Sequence, residues 1–264
     1  MSVEFLQRVM DGKRRALSLL GDKCREDLRQ RALEMRHGRA PRFVASLLDK
    51  PTAIIAEFKR CSPSAGAIQA DADPVKVACL YEVGGAAAMS VLTEPEHFHG
   101  SLKDLYNVSS AASLPLLRKD FLVDRHQVFE AAVNGAAAVL VILAGLSDAE
   151  ALKLLDAAAL VHLDALVEVH TEEELLRAEN IGATLIGVNN RNLKSLQVDL
   201  NTSLQLAERA PKNAVLVAES GLRTRQDILR LQGAGYRAFL IGETLMRAGD
   251  PFRALRQLQG LEAE

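Results

Sequence analysis

Four stretches of the chain repeat one hydrophobic pattern, a glycine and small residues leading into a short apolar run. They are GGAAAMSVLT from Gly84, NGAAAVLVIL from Asn134, IGATLIGVNN from Ile181 and AGYRAFLIGE from Ala234. A glycine after an amphipathic stretch suits a helix C-terminus, where the residue past the cap often takes φ > 0. The runs that follow are rich in Val, Ile and Leu with few charges, as expected of parallel strands covered on both faces. Each repeat therefore reads as helix end, glycine stop and buried strand. The repeats lie roughly 50 residues apart, whereas a barrel βα unit takes about 25–30. One further apolar run fills each gap: PLLRKDFL from Pro115, DALVEVH from Asp164 and AVLVAES from Ala214. With TAIIAEFK from Thr52 ahead of the first repeat, the count is eight strands.

Helical patterns such as SDAEALKLLDAAAL and TEEELLRAENIG alternate with these runs. The second opens on Thr171 with Glu174 three residues later, the spacing of a capping box. Eight alternating units predict an α/β fold, a single (β/α)8 TIM barrel over residues 51–264. An open doubly wound sheet is the competing architecture, but the G-x-G-x-x-G turn it needs after its first strand is missing. Residues 1–50 carry helical periodicity, with Phe5, Leu6, Val9 and Met10 on one face. They predict an N-terminal helical extension packed on the barrel. No Ser/Gly/Pro-rich linker divides the chain, so one structural domain is expected.

Barrels of this kind build their active sites at the C-terminal ends of the strands. Strand 1 ends in Glu57 and Lys59, which alternation puts on one face. Strand 2 offers Ser90 and Thr93, strand 3 Lys119 and Asp120, and strand 5 Glu168 and His170. Strand 6 ends Asn189-Asn190-Arg191, strand 7 Glu219-Ser220-Gly221 and strand 8 Gly242-Glu243. Strand 4, ending Ile142-Leu143-Ala144, is bare. A charge pair closing one strand is ordinary surface chemistry. Ionisable or polar residues closing seven of eight strands at the same end describe a catalytic mouth. Loops after strands 7 and 8 commonly bind phosphate in this fold. Ser220, Gly221, Gly242 and Glu243 stand there, and glycine lets backbone N–H groups approach an anion.

Composition narrows the classes without choosing among enzymes. The chain of 264 residues is 48% hydrophobic and 25% charged, with a net charge of −2, ordinary for a globular protein. That balance gives no electrostatic footprint for nucleic acid or a membrane surface. Three cysteines without Cys-x-x-Cys spacing support neither a disulfide framework nor a zinc site. The N-terminus has no apolar h-region, so a cytoplasmic protein is expected. His97 and His99 lack a third metal ligand at sensible spacing. Cys61 beside Lys59 and Arg60 has no histidine close in sequence to make it a thiol nucleophile. His170 reads either as a general base or as a loop hydrogen-bonder. Lys119 at a strand end leaves a Schiff-base aldolase open.

Taken together, IIAEFKRCSPSAG, SVLTEPEHFHGS, PLLRKDFLVD, ALVEVHTEEEL, IGVNNRNL, VAESGLRT and FLIGETLMR resemble the indole-3-glycerol-phosphate synthase family. The resemblance spans residues 50 to 250 in order and implies a cofactor- and metal-free lyase of tryptophan biosynthesis. Such an enzyme closes the indole ring of 1-(2-carboxyphenylamino)-1-deoxyribulose 5-phosphate with loss of CO2 and water, by general acid-base catalysis. It implies Lys119 as the acid that protonates the ketose oxygen and Glu168 as the base of the dehydration. Lys59 would hold the substrate carboxylate, lend its charge to the phosphate and share the acid role with Lys119, with Glu57 pairing with it and positioning it. Asn189 and Arg191 would orient the anilino-sugar. Ser220, Gly221, Gly242 and Glu243 would line the phosphate site. Ser62, Ser90, Phe98 and Phe121 match positions around the pocket. Phe58, Cys61 and Ala65 depart from the family pattern beside these residues. The expected partner is one phosphorylated small molecule, bound by a monomer or weak oligomer.

Overall fold

The computed structural model describes residues 3–261. Eight strands form one closed ring: β1 Ala53–Phe58, β2 Ala88–Leu92, β3 Leu116–Lys119, β4 Ala138–Ile142, β5 Asp164–Val169, β6 Leu185–Asn189, β7 Val215–Glu219 and β8 Ala238–Ile241. Each pairs in parallel with the next, and β8 returns to β1 from Ala53↔Ala238 to Ala56↔Ile241. Closure leaves no sheet edge, which rules out the open doubly wound alternative. The eight strands are those read from the apolar runs, and the four repeat glycines Gly85, Gly135, Gly182 and Gly235 all take positive φ. A two-stranded ribbon, Cys61–Ser62 with Gly66–Ala67, decorates the loop after β1 and had no signal in the hydrophobic pattern.

Side-chain caps set where the outer helices begin. Asp124 and Gln127 form a reciprocal capping box, as do Ser147 with Glu150 and Thr224 with Asp227. At Thr171 the expectation is only half met. Its hydroxyl accepts the Glu174 N–H, but the Glu174 carboxylate reaches one residue further back, to the N–H of His170 at 2.7 Å.

The segment before β1 is helical, as its periodicity predicts, and its three helices run from the mouth of the barrel to its floor. They are α1 Val3–Ser18, α2 Asp22–Arg36 and α3 Phe43–Leu48. Leu6 and Met10 of α1 are fully buried against the turn Leu143–Gly145 that follows β4. Burial of two such side chains contributes about 1.5–3 kcal/mol each. This contact explains why strand 4 ends without a polar residue: its C-terminal end is covered by α1. Gly145 lets α1 approach this closely, because a Cβ there would overlap the Met10 sulfur and displace its side chain. The Val3 N–H donates to Leu193 O beyond β6, and Arg14 donates to Gly145 O and Glu150. At the far end, the first amides of α3, on Phe43 and Val44, donate to Asp164 Oδ2 at the start of β5. The carboxylate serves as an N-cap supplied from another element. Between them, Arg25 of α2 donates both to Asp124 Oδ1 and Oδ2.

The tie between α1 and the barrel mouth is ionic. Lys13 of α1 donates to Asp120 Oδ1, while Asp120 Oδ2 accepts from Arg118 at 3.0 Å and from the Thr93 hydroxyl at 2.8 Å. Arg118 also donates to Gln127 O and Glu130. Burial alone would raise the Asp120 carboxyl, but Arg118 and Lys13 outweigh it and hold it down to about 2. Among the described residues no helix is long and apolar enough to cross a membrane.

Because the folded carboxyl titrates below its unfolded value, its contribution to stability is complete above about pH 4 and disappears as pH falls through the folded value. Asp120→Asn should cost about 2 kcal/mol at neutral pH and flatten the acid side of the stability curve. Urea unfolding at stepped pH measures both, and an unchanged acid slope in the variant would contradict the assignment.

Candidate active site

A cavity of about 470 Å³ opens at the C-terminal ends of the strands. Strand alternation brings its ionisable residues inward. Glu57 and Lys59 come from β1 and the residue just after it, Lys119 from β3, Glu168 from β5, Asn189 from β6 and Glu219 from β7, and all six line the cavity. Leu140 of β4 and Leu240 of β8 supply apolar lining between them.

At its centre lies an ammonium group held by two carboxylates. Lys119 Nζ donates to Glu219 Oε2 at 2.6 Å and to Glu168 Oε2 at 3.1 Å. Both glutamates are almost fully buried, at 1% and 4% exposure. Burial works against the charge on Lys119, but Glu219, then Glu168 and Glu57, outweigh it and hold the ammonium above its ordinary range. The two carboxylates are pushed apart. Burial drives Glu219 up to about 7, with Lys119 opposing and Glu168 and Glu57 reinforcing. Burial also acts on Glu168, but Lys119, His170 and hydrogen bonds from Lys119 and Asn189 keep it below its ordinary value. Two acids a few ångströms apart with opposite shifts form an acid-base pair.

Lys59 donates to Glu57 Oε1 at 2.7 Å, so the two residues that alternation puts on one face form their own ion pair. Two glycines make room for the carboxylates. A Cβ at Gly187 would overlap Glu219 Oε1, and one at Gly242 would overlap Glu57 Oε1. Gly242, read from the sequence as a phosphate-loop residue, thus has a second reason to lack a side chain.

The loops past β7 and β8 complete the wall beside β1, where Ser220, Gly221, Gly242 and Glu243 all line the cavity. Ser220 (φ 67) and Gly221 (φ 83) are successive left-handed residues. For serine that conformation costs about 1–3 kcal/mol and needs outside support. Asn190 provides it: its amide donates to Glu219 O at 3.0 Å and to Ser220 O at 3.2 Å, while its Oδ1 accepts from the N–H and hydroxyl of Ser203. Glu243 opens the short helix Glu243–Met246 and pairs with Arg247.

Arg191 lies at the rim, its amide held by Asn189 Oδ1 and its guanidinium donating to Leu196 O. Ser62, Phe98 and Phe121 line the cavity too. The Phe98 and Phe121 rings are 6.2 Å apart, and Phe5 of α1 packs edge-on to Phe121 at 6.4 Å. Phe98 is fixed by Glu94, whose carboxylate accepts the N–H groups of Glu96, His97 and Phe98. That same use of Glu94 weighs against a metal at the cluster of Glu94, Glu96 and His97. His99, in the left-handed region, caps the helix end rather than joining His97 as a ligand pair.

Ser90 is the exception among the sequence-derived pocket residues. It is fully buried beside Glu57 in register and does not line the cavity. Being paired with Glu57 on the neighbouring strand gives it the right face, but it sits too deep in the barrel to meet the cavity. Two of the three departures from the family pattern, Phe58 and Cys61, make local contacts of their own. Phe58 alternates away from the mouth and carries the Arg60 guanidinium 4.8 Å from its ring centroid, and Cys61 Sγ donates to His97 O.

Glu219 is the residue whose role the sequence reading missed. The signal was present, since Glu219 closes strand 7 as Glu57 nears the end of strand 1, but the Ser-Gly that follows drew attention to phosphate. Asn190 carried no pattern that would reveal a clamp between two loops.

A family model described as indole-3-glycerol phosphate synthase matches residues 6–258. The indole-3-glycerol phosphate synthase of Koribacter versatilis (strain Ellin345) is 46% identical over 260 residues, covering 97% of this chain and 98% of that protein. That of Rhodococcus opacus (strain B4) is 48% identical over 214 residues, covering 81% of this chain and 80% of the relative. Among solved structures, a 3-hexulose-6-phosphate synthase superposes with a TM-score of 0.63 at 16% identity, over 81% of this chain and all of the other, a likeness of fold alone. A family match over nearly the full length, with relatives close to half identical, means that this chain belongs to the indole-3-glycerol phosphate synthase family.

Proposed function

We propose that this chain closes the indole ring of 1-(2-carboxyphenylamino)-1-deoxyribulose 5-phosphate to give indole-3-glycerol phosphate, CO2 and water, with Lys119 as acid and Glu168 as base. The observation that carries the reading is Lys119 bonded to two buried carboxylates inside a cavity of small-molecule size. In the first step the ring carbon bearing the carboxylate attacks the ketose carbonyl carbon. Its oxygen takes a proton from the Lys119 ammonium and becomes a hydroxyl. The carbon–carboxylate bond then breaks, its electron pair restoring the aromatic ring as CO2 leaves. In the last step the hydroxyl takes a proton from the reprotonated Lys119 ammonium and departs as water, while Glu168 removes the proton from the adjacent carbon bonded to nitrogen.

The charges suit that order. Glu219, poised near neutrality and 2.6 Å from Lys119, can return a proton to the spent amine. Lys59, held by Glu57, offers the substrate carboxylate a cation, with Arg191 at the rim. Phe98 and Phe121 give the anilino ring an apolar wall. Backbone groups around Ser220, Gly221, Gly242 and Glu243, with Lys59, would receive the phosphate.

A Schiff-base aldolase fits less well. It needs a neutral amine on Lys119, and the carboxylates around this lysine stabilise its proton instead.

The appearance of indole absorbance when purified protein meets the anilino-deoxyribulose phosphate tests the activity itself. Lys119→Ala should lower kcat by at least ~100-fold, the scale of general acid catalysis, and Glu168→Gln by a similar factor. Full turnover by either variant would remove that residue from its role. Gly187→Ala should push Glu219 away from Lys119 and reduce kcat by up to ~100-fold with little change in KM, a cost of misplacement rather than of binding. A wild-type kcat in that variant, with folding verified by circular dichroism, would show that Glu219 is not needed where it stands.

A further inference from the structure

One buried titratable group lies beside this machinery without a part in it. The side chain of His170, just past the end of β5, is 5% exposed. Its Nδ1 stands 3.2 Å from Glu174 Oε2, the same oxygen that accepts the His170 backbone N–H at 2.7 Å. Glu174 is itself fixed, since its own N–H donates to Thr171 Oγ1 in the first turn of the helix Glu172–Asn180. The ring is therefore anchored on one side, with Nδ1 as the donor. Its Nε2 is fully buried and has no hydrogen bond of ordinary geometry, and Glu168 Oε1 stands 3.4 Å away.

That geometry restricts the protonation states. With Nδ1–H committed to Glu174, a neutral ring would aim the Nε2 lone pair at a carboxylate oxygen, leaving two acceptors facing each other in a dry site. A proton between Nε2 and Oε1 removes the conflict. Glu168 then has each oxygen assigned: Oε2 to Lys119 at 3.1 Å, Oε1 to His170.

We propose that His170 is a positioning residue for Glu168, an imidazolium strung between Glu174 and Glu168 that fixes the orientation of the base. The inference rests on the reading of Glu168 as base. Burial alone would make the ring harder to protonate, but the Glu174 hydrogen bond, then the charges of Glu168, Glu174 and, two strands away, Glu219 of β7, outweigh it and raise its titration. The carboxylate thus keeps a cation on both sides. Raising the pH strips the Nε2 proton, and the base loses its second anchor while Lys119 still holds the first.

Two measurements test this on the intact protein. Imidazole NMR should find His170 titrating above its ordinary value, with the midpoint falling by at least half a unit in Glu174→Gln and again in Glu168→Gln, because linkage is reciprocal. In the pH profile of kcat, the alkaline decline should follow the His170 midpoint and move to lower pH in Glu174→Gln, a change that loss of mere packing would not cause. His170→Asn should lower kcat by ~10-fold or more at little cost in KM. A His170 midpoint at or below the ordinary value, or an alkaline limb that stays in place in Glu174→Gln, would overturn the proposal. Failure of the base assignment is a separate result: Glu168→Gln would then turn over fully, whether or not its carboxylate perturbs His170.

Discussion

A protonated lysine cannot sit among buried side chains without counter-charge, and meeting that demand organises this barrel's mouth. The Lys119 ammonium is bonded to Glu219, which arrives from β7 directly across the ring from β3, and to Glu168 from β5, two strands away. Each needs its own compensation. Gly187 leaves space for Glu219, Asn189 and His170 steady Glu168, and Glu57 finds Lys59 and the space above Gly242. Removing one member would leave a buried charge without its partner, the costly outcome for such networks. Acidity and basicity within one small cavity follow from this arrangement, since the same ammonium that lowers one carboxyl leaves the other close to neutrality.

A second network ties the helical extension to the same rim. Asp120, directly after Lys119 in the chain, binds Arg118, Thr93 and Lys13. Its position is therefore set by α1 as well as by the barrel. Phe5 from the same helix braces Phe121, a wall of the cavity. The extension thus stabilises the position of cavity-lining residues that it does not itself supply, and strand 4 gives up its polar end to accommodate it.

The fold could be read from the chain almost completely, because a barrel strand is buried on both faces and the helices before β2, β4, β6 and β8 each end on a glycine of positive φ. Gly85, Gly135, Gly182 and Gly235 were sufficient to phase the repeat. Alternation from the strand ends was enough to place Glu57, Lys59, Lys119, Glu168 and Asn189 around one cavity. It failed for Ser90, where the right face lies too deep, since period-two reasoning gives direction but not height in the barrel. It also gave no account of Glu219, Asn190 or Glu174, whose importance lies in partners about 100, 30 and 4 residues away in sequence. Contacts across the barrel between strands that never pair, or between successive strand-end loops, leave no local signature, and neither does a carboxylate that reaches one residue beyond its expected cap.

The protonation of Lys119 is the state from which everything at this site is argued, and it can be observed directly. Nitrogen-15 NMR of lysine-labelled protein, followed to high pH, should find the Lys119 amine retaining its proton beyond the ordinary range of a free lysine. Titration at or below that range would mean that the surrounding carboxylates do not hold the charge, and the acid at the centre of this account would not exist.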